Sequence, residues 1–194
     1  MKKGKKRNVL IIGAGGIGSF LIPLLDKTGL YNMTVYDPDI VEEKNITYQN
    51  FSKMEVESKK VDAMAKRYKI DAKPFPVLTA GQIKGLDLVV CCADNLDIRR
   101  VMYNSDVKWL DLRAQGRNAA MISYQEDPKF YNAFTSGPDG SFSCQGNDWD
   151  GKPEGVKFMQ VVIAGYGAQW MQNYFIGNYV EKHFRINGRF KWVY

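Results

Sequence analysis

Along the first half of the chain, short apolar runs alternate with stretches of helical spacing. Val9-Leu10-Ile11-Ile12 is an unbroken apolar run ended by a glycine, which predicts a strand buried on both faces over Asn8–Ile12. Ile17, Phe20, Leu21, Leu24 and Leu25 then recur at helical spacing and predict a helix from about Gly16 to Lys27, with Pro23 inside it and Gly29 as its C-terminal cap. Asn32–Asp37 is a second predicted strand, and Pro38–Phe51 a polar connection. Val61, Met64, Ala65 and Tyr68 predict a helix over Glu57–Lys69, and Phe75–Leu78 is a candidate strand. Leu86–Cys92, with Leu-Val-Val-Cys-Cys at its end, is the clearest strand of all.

Farther on the pattern loosens. Asn95–Tyr103 reads as a helix, Lys108–Leu112 as a strand, and Asn118–Tyr124 as a strand paired near Phe130–Ala133. Thr135–Gly155 is a long polar loop, a length that in a compact domain usually serves function. Val156–His183 holds a long helix weakened by Gly165, Gly167 and Gly177, and Gly188–Tyr194 is a candidate edge strand. Strands alternating with helices predict an α/β domain on a mostly parallel sheet with helices on both faces, its C-terminal half partly mixed or antiparallel. With no linker in view, residues 8–194 read as a single domain behind a basic tail, residues 1–7.

Composition changes this picture little. The chain has 194 residues, 45% of them hydrophobic, enough for a sizeable core. No apolar run reaches the roughly 18 residues of a membrane span, and no secretory signal is recognisable. The formal charge of +6 suggests nucleic acid at first sight. Its distribution does not. Of 27 basic and 21 acidic side chains, nine basic and one acidic (Glu181) lie in residues 1–7 and 181–194, leaving 18 basic against 20 acidic in residues 8–180. Nucleic acid is therefore not an expected partner, and neither is a membrane. Cys91 and Cys92 sit in the apolar strand and Cys144 in the polar loop, while His183 is the only histidine. There is no C-x-x-C pair, so no zinc is expected, and a reducing cytoplasmic compartment fits best.

The chemistry begins at Gly13-Ala14-Gly15-Gly16-Ile17-Gly18, a G-x-G-x-x-G between a predicted strand and a predicted helix. The first glycine permits a tight turn, the second a close phosphate, the third close packing of helix on strand. Helix N–H groups then face the anion, and Asp37 at the end of the second strand stands where an acid bonds a ribose hydroxyl. This makes the sheet Rossmann-like and allows NAD, FAD or ATP.

The next stretch distinguishes them. Asp37, Asp39, Val41, Asn45 and Gln49 follow D-x-D-x-V-x-x-x-N-x-x-R-Q; Val56–Lys60 resembles a V-G-x-x-K segment, with Lys60 as its lysine and Lys59 beside it; Cys92-Ala93-Asp94-Asn95 with Arg99 resembles a strand ending in D-N followed by an arginine. In this order, over about residues 8–125, the sequence resembles the ThiF/MoeB family of ATP-dependent activators of ubiquitin-like proteins. The resemblance implies ATP and Mg2+ as cofactors and adenylation of the C-terminal carboxylate of a ubiquitin-like or small carrier protein, commonly by a homodimer. It implies phosphate binding at Gly13, Gly15, Gly16 and Gly18, ribose at Asp37, further nucleotide contacts from Asp39 and Gln49, phosphate contacts from Asn45 and Lys60, and Mg2+ on Asp94. Each has an ordinary alternative: Asp37 and Asp39 as turn caps, Lys60 solvated, Asn45 in a turn, Asp94 as a helix cap, Arg99 paired on its own helix.

Three departures stand out. Tyr48 replaces the motif arginine, and a tyrosine hydrogen-bonds a phosphate without neutralising it. The first strand follows the start of the chain almost directly, where relatives carry an arginine-bearing segment, so Lys5, Lys6 or Arg7 is a candidate substitute. Cys144 stands where some relatives keep an acyl-accepting cysteine, and Arg113 follows a strand toward the cleft. The other readings are a non-catalytic nucleotide or protein binder and an NAD(P)-dependent oxidoreductase.

Overall fold

The computed structural model describes residues 5–133, 144–146 and 148–188. The strands β1 (Arg7–Ile12), β2 (Tyr31–Tyr36), β3 (Ile70–Lys73), β4 (Leu88–Cys91), β5 (Trp109–Gln115), β6 (Asn118–Ser123) and β7 (His183–Asn187) form one sheet. Its order is β3-β2-β1-β4-β5-β6-β7, parallel through β5, with β6 and β7 antiparallel. The helices are α1 (Gly18–Thr28), α2 (Lys60–Ala65), α3 (Leu96–Tyr103), α4 (Pro128–Ala133) and α5 (Met159–Phe175). No described helix is long and apolar enough to cross a membrane.

Alternation along the strands builds two cores. Val9 and Ile11 point to one face and pack with Leu21, Met64 and Ile163 of α1, α2 and α5. Leu10 and Ile12 point to the other and pack with Ile98 and Met102 of α3. The expected helices on both faces are thus present, as is the antiparallel C-terminal part.

Inside α1, Pro23 has no N–H for the carbonyl of Ser19 four residues back. That carbonyl instead accepts a hydrogen bond from the Asn50 side chain at 3.1 Å, and the Ser19 hydroxyl accepts the Asn50 amide N–H at 3.0 Å. The proline gap therefore anchors the end of the polar connection to α1. The helix begins at Gly18 rather than Gly16, Ile22 is fully buried, and Leu24 is exposed.

Several expected elements differ. The edge strand is Ile70–Lys73, not Phe75–Leu78: Pro74 and Pro76 cannot donate to a ladder, and the segment between them instead leaves Phe75 exposed. The second helix is only six residues, with Ala63 rather than Ala65 inward. Phe130–Ala133 is helical, because Pro128 sits at a helix start and the Asp127 carboxylate accepts the Lys129 N–H at 2.8 Å. The partners of β6 are β5 and β7, not residues near Phe130; the last helix ends before Gly177, whose φ is +79°. The expected edge strand 188–194 lies outside the described residues except for Gly188.

Behind β5 is a buried ionic cluster. Asp111 is fully buried, and both of its oxygens accept from Nε of Arg99 at 3.1 Å. Nε of Arg113 donates to the same carboxylate at 2.8 Å, and Tyr103 donates its hydroxyl to it. Burial alone would push the Asp111 carboxyl up, but the two guanidiniums outweigh burial and hold it below the usual carboxylate range. Asp111→Asn should lower the unfolding free energy by about 3–5 kcal/mol, since it removes the buried charge that the Arg99 and Arg113 guanidiniums share. Urea denaturation measures this. Because the folded-state pKa is depressed, the Asp111 contribution is full above about pH 4, the unfolded value, and is lost as pH falls below it.

Candidate functional site

The chain order turns around β1: β2 and β3 lie on one side of it, β4 and β5 on the other. Ligands of open α/β sheets bind in the crevice at such a point, beyond the strand C-termini. Here the glycine turn after β1 faces Ala93-Asp94-Asn95 after β4. Gly13 has φ +97°, and a Cβ on it would lie 2.9 Å from the Ala93 nitrogen, so no other residue fits. A Cβ on Gly18 would lie 1.9 Å from the Gly13 carbonyl oxygen, which sets α1 directly against β1.

A cavity of about 450 Å³ opens over this crevice, a size typical of small-molecule sites. Gly13, Gly15 and Gly16 line it with Asp37, Asp39, Tyr48, Gln49, Lys60 and Asp94. Ile12, Tyr36, Val77, Ile98 and Val101 form an apolar wall at which a flat base can pack.

Asp37 is buried. Its carboxylate accepts the Ala14 N–H at 2.7 Å and the Asp39 N–H at 2.8 Å. Burial pushes its carboxyl up, while the Lys60 charge and these N–H groups pull it back. The carboxylate therefore fixes the glycine turn as well as facing the cavity. The Lys60 ammonium is buried and bonds Asp39 at 2.9 Å, whereas Lys59 turns outward to the carbonyl of Pro38. Asp94 lines the cavity, and the cap of α3 is Asn95, whose side chain accepts the Asp97 N–H at 2.7 Å.

Two expected residues stand elsewhere. Gly18 packs helix on strand, and Asn45 does not line the cavity. The buried Asn45 amide accepts the Glu42 N–H at 3.0 Å and donates to the Tyr48 hydroxyl at 3.3 Å. Asn45 thus holds the connection together and sets the Tyr48 ring, which meets Trp149 edge-on at 5.2 Å. Arg99 pairs with Asp111 on the neighbouring strand, not with an acid of its own helix.

Sequence reasoning missed Gln160. It is fully buried at the start of α5 and donates to the Tyr48 carbonyl at 3.2 Å. A glutamine between Met159 and Val161 looks like an ordinary helix surface, so no local signal marks it. Among the described residues the side-chain oxygens of Gln49 and Gln160 are both buried with no partner, and the Gln49 amide lies beside Gly15. Unsatisfied acceptors at the glycine turn suit a ligand hydroxyl, a water or, with the amide turned over, an anion.

Cys144 lies over the turn, its Sγ 2.7 Å from where a Gly16 Cβ would be. Burial, with the nearby Asp94 charge, pushes its thiol up to about 11. Cys144 and Asp94 also border a second cavity of about 710 Å³, which runs over β5, β6 and β7 and carries Arg99, Arg113 and Arg185. The two cavities share the Cys92–Asp94 segment and Cys144 as a common wall.

The donor set bears on metal binding. Among the described residues, no group of three His, Cys, Asp or Glu side chains is placed to hold a metal. Asp94 and Asp97 nevertheless both line the first cavity. One or two carboxylates completed by phosphate oxygens and water is the mode of Mg2+ in nucleotide sites, so the residues fit that ion when it arrives with a nucleotide.

A family model described as the ThiF family matches residues 1–165. Ubiquitin-like modifier-activating enzyme 5 of Bombyx mori is 26% identical over 132 residues, covering 55% of this chain and 34% of that protein. Adenylyltransferase and sulfurtransferase UBA4 of Yarrowia lipolytica is 28% identical over 113 residues, covering 53% of this chain and 28% of that protein. The chain thus spans about a third of the length of these curated relatives. Among solved structures, E. coli MccB with ATP superposes with a TM-score of 0.66 at 18% identity, over 95% of this chain and 61% of that one. The microcin C7 biosynthetic enzyme MccB with N-formylated MccA gives 0.68 at 18% identity, over 95% and 62%. These structural likenesses show the fold.

The raised thiol of Cys144 has a direct consequence. Its alkylation by iodoacetamide should be slow at pH 7.5 and accelerate continuously toward pH 11, since only the thiolate reacts. Peptide mass spectrometry checks this; rapid labelling at pH 7 would mean a lowered thiol and an activated nucleophile.

Proposed function

The chain belongs to the ThiF family, and on that premise we propose that it adenylates a carboxylate with ATP: the C-terminus of a ubiquitin-like or small carrier protein. The observation that carries this is the pair of adjoining cavities with Asp94 on their common wall. One suits a nucleotide, the other an incoming chain end. UBA4 is named an adenylyltransferase, and MccB has been crystallised both with ATP and with MccA, which supports the same division here.

The chemistry asks little of the protein beyond positioning and charge. A terminal carboxyl, with a pKa near ~3.5, is already an anion at neutral pH and needs no general base. One of its oxygens attacks the α-phosphorus, the α–β anhydride bond breaks, and pyrophosphate leaves with that electron pair. The products are acyl-AMP and pyrophosphate. Holding two anions together is the difficulty, and the cavity sharpens it: Asp37, Asp39, Asp94 and Asp97 line it against the single cation Lys60, among the described residues. In this reading Asp37 takes the ribose, and Gly15 and Gly16 present backbone N–H groups to phosphate. Gln49 adds its amide, and Lys60 supplies the fixed positive charge. Asp94 and Asp97 would hold Mg2+, which when bound neutralises phosphate charge. Asn45 acts from behind by setting Tyr48. Tyr48, where relatives have arginine, adds a hydroxyl but no charge, which places more of the neutralisation on Lys60 and the metal.

The test is ATP–pyrophosphate exchange with Mg2+ and a panel of peptides and small proteins with free C-termini. Exchange should depend on the carboxylate and fall at least about a hundredfold in Lys60→Ala and in Asp94→Ala. ATP binding with no exchange on any carboxylate would instead mark a nucleotide-binding relative without catalysis. Removing Mg2+ with EDTA should weaken ATP binding far more than AMP binding, because the excess charge lies on the β- and γ-phosphates; calorimetry reads both.

A further inference from the structure

Gln49 sits between two anchors that come from different helices. Before it, the Tyr48 carbonyl accepts a hydrogen bond from the Gln160 side chain of α5 at 3.2 Å. After it, the Asn50 N–H donates to the Ser19 hydroxyl of α1 at 3.0 Å. A residue whose two neighbours are both tied has little freedom to turn. The Gln49 side chain is held with both ends of its amide 3.9 Å from where a Gly15 Cβ would lie. Gln160 is seated on the same turn, since a Cβ on Gly16 would lie 3.8 Å from its own Cβ. Asn45 and Trp149 cannot replace this tie. Asn45 belongs to the same connection and moves with it, and Trp149 meets the Tyr48 ring rather than its backbone.

The choice of residue points the same way. Gln160 is fully buried, and among the described residues its side-chain oxygen has no partner. A buried polar atom without a partner is destabilising. Methionine has a similar volume and would remove that orphan, while leaving the Tyr48 carbonyl open instead. For the fold the exchange is close to neutral. For the placement of Gln49 it is not, because the tie from α5 is lost.

We propose that Gln160 is a positioning residue for the nucleotide: by holding the Tyr48 carbonyl it fixes the Gln49 amide at the Gly15–Gly16 turn, where it meets a phosphate. The proposal rests on the nucleotide reading of the first cavity. It gives the start of α5 a part in the affinity of that cavity, although no described residue of α5 lines it. A hydrogen bond to a phosphate is charge-assisted and depends on direction, so a small displacement of the donor weakens it strongly.

The test is the Gln160→Met variant of the full chain, read in three ways. Calorimetric titration with ATP and Mg2+ should show an affinity about tenfold lower than that of the parent chain. In a Gln49→Ala background the same substitution should cost less than about threefold, because Gln160 acts through Gln49. Hydrogen exchange without nucleotide should quicken at residues 48–50 and stay unchanged in the body of α5. The thermal midpoint should fall by no more than about 4 °C. Unchanged ATP affinity, or unchanged exchange at residues 48–50, overturns the role. An equal loss of affinity in both backgrounds, or a larger fall of the midpoint, overturns it too, since either marks a glutamine that supports the fold alone. If the parent chain itself binds no ATP, the nucleotide reading fails and takes this role with it. ATP binding that Gln160→Met leaves intact removes the role of Gln160 and keeps the nucleotide site.

Discussion

Between the end of β1 and the start of α1 the backbone folds back so closely that any side chain on Gly18 would collide with the Gly13 carbonyl. Most of the site hangs on this contact. It brings the N-terminus of α1 against the sheet, beside the Gly15 and Gly16 that line the crevice. It brings Gly13 against the backbone of Ala93, which aligns the ends of β1 and β4 and sets Asp94 opposite the turn. It presents the Ala14 N–H to Asp37, so that an acid at the end of β2 braces the turn from the other side.

A second set of ties holds the connection after β2. Pro23 leaves a carbonyl in α1 unpaired, and Asn50 takes it. Gln160 holds the Tyr48 carbonyl, and Asn45 holds its hydroxyl. Tyr48 and Gln49 therefore reach the cavity from a segment clamped by α1, α5 and its own 3-10 turn, without regular structure. The result is two adjoining cavities of opposite character, one lined by aspartates around one lysine, the other by arginines. In the proposed adenylation an anionic nucleotide would occupy the first together with cations, and an anionic chain end the second. That separation suits a reaction that joins two anions.

The parts legible in the sequence are those with short-range causes. The glycine turn and strands β1, β2 and β4 follow from local sterics and apolar runs, and the two aspartates after β2 follow from their place at a strand end. The motif singles out Lys60, but that Lys60 turns inward while Lys59 turns out depends on tertiary structure: Lys59 is held in a bridge to Ile40, and the Lys60 ammonium bonds Asp39. The rest depended on distant partners. Ile70–Lys73 is an edge strand with little apolar content, and Phe75–Leu78 looked more strand-like until its prolines are counted. Asn45 was expected at the phosphates; its amide is consumed by neighbours three residues to either side. Gln160 lies 112 residues from its partner Tyr48.

The central claim is that the crevice is a site for ATP rather than for a dinucleotide. The direct measurement is calorimetric titration of the purified chain, in Mg2+, with ATP and with NADH under the same conditions. The account predicts saturable binding of ATP at one site, lost in Asp37→Ala, and no saturation by NADH. Saturable NADH binding with none of ATP would contradict it.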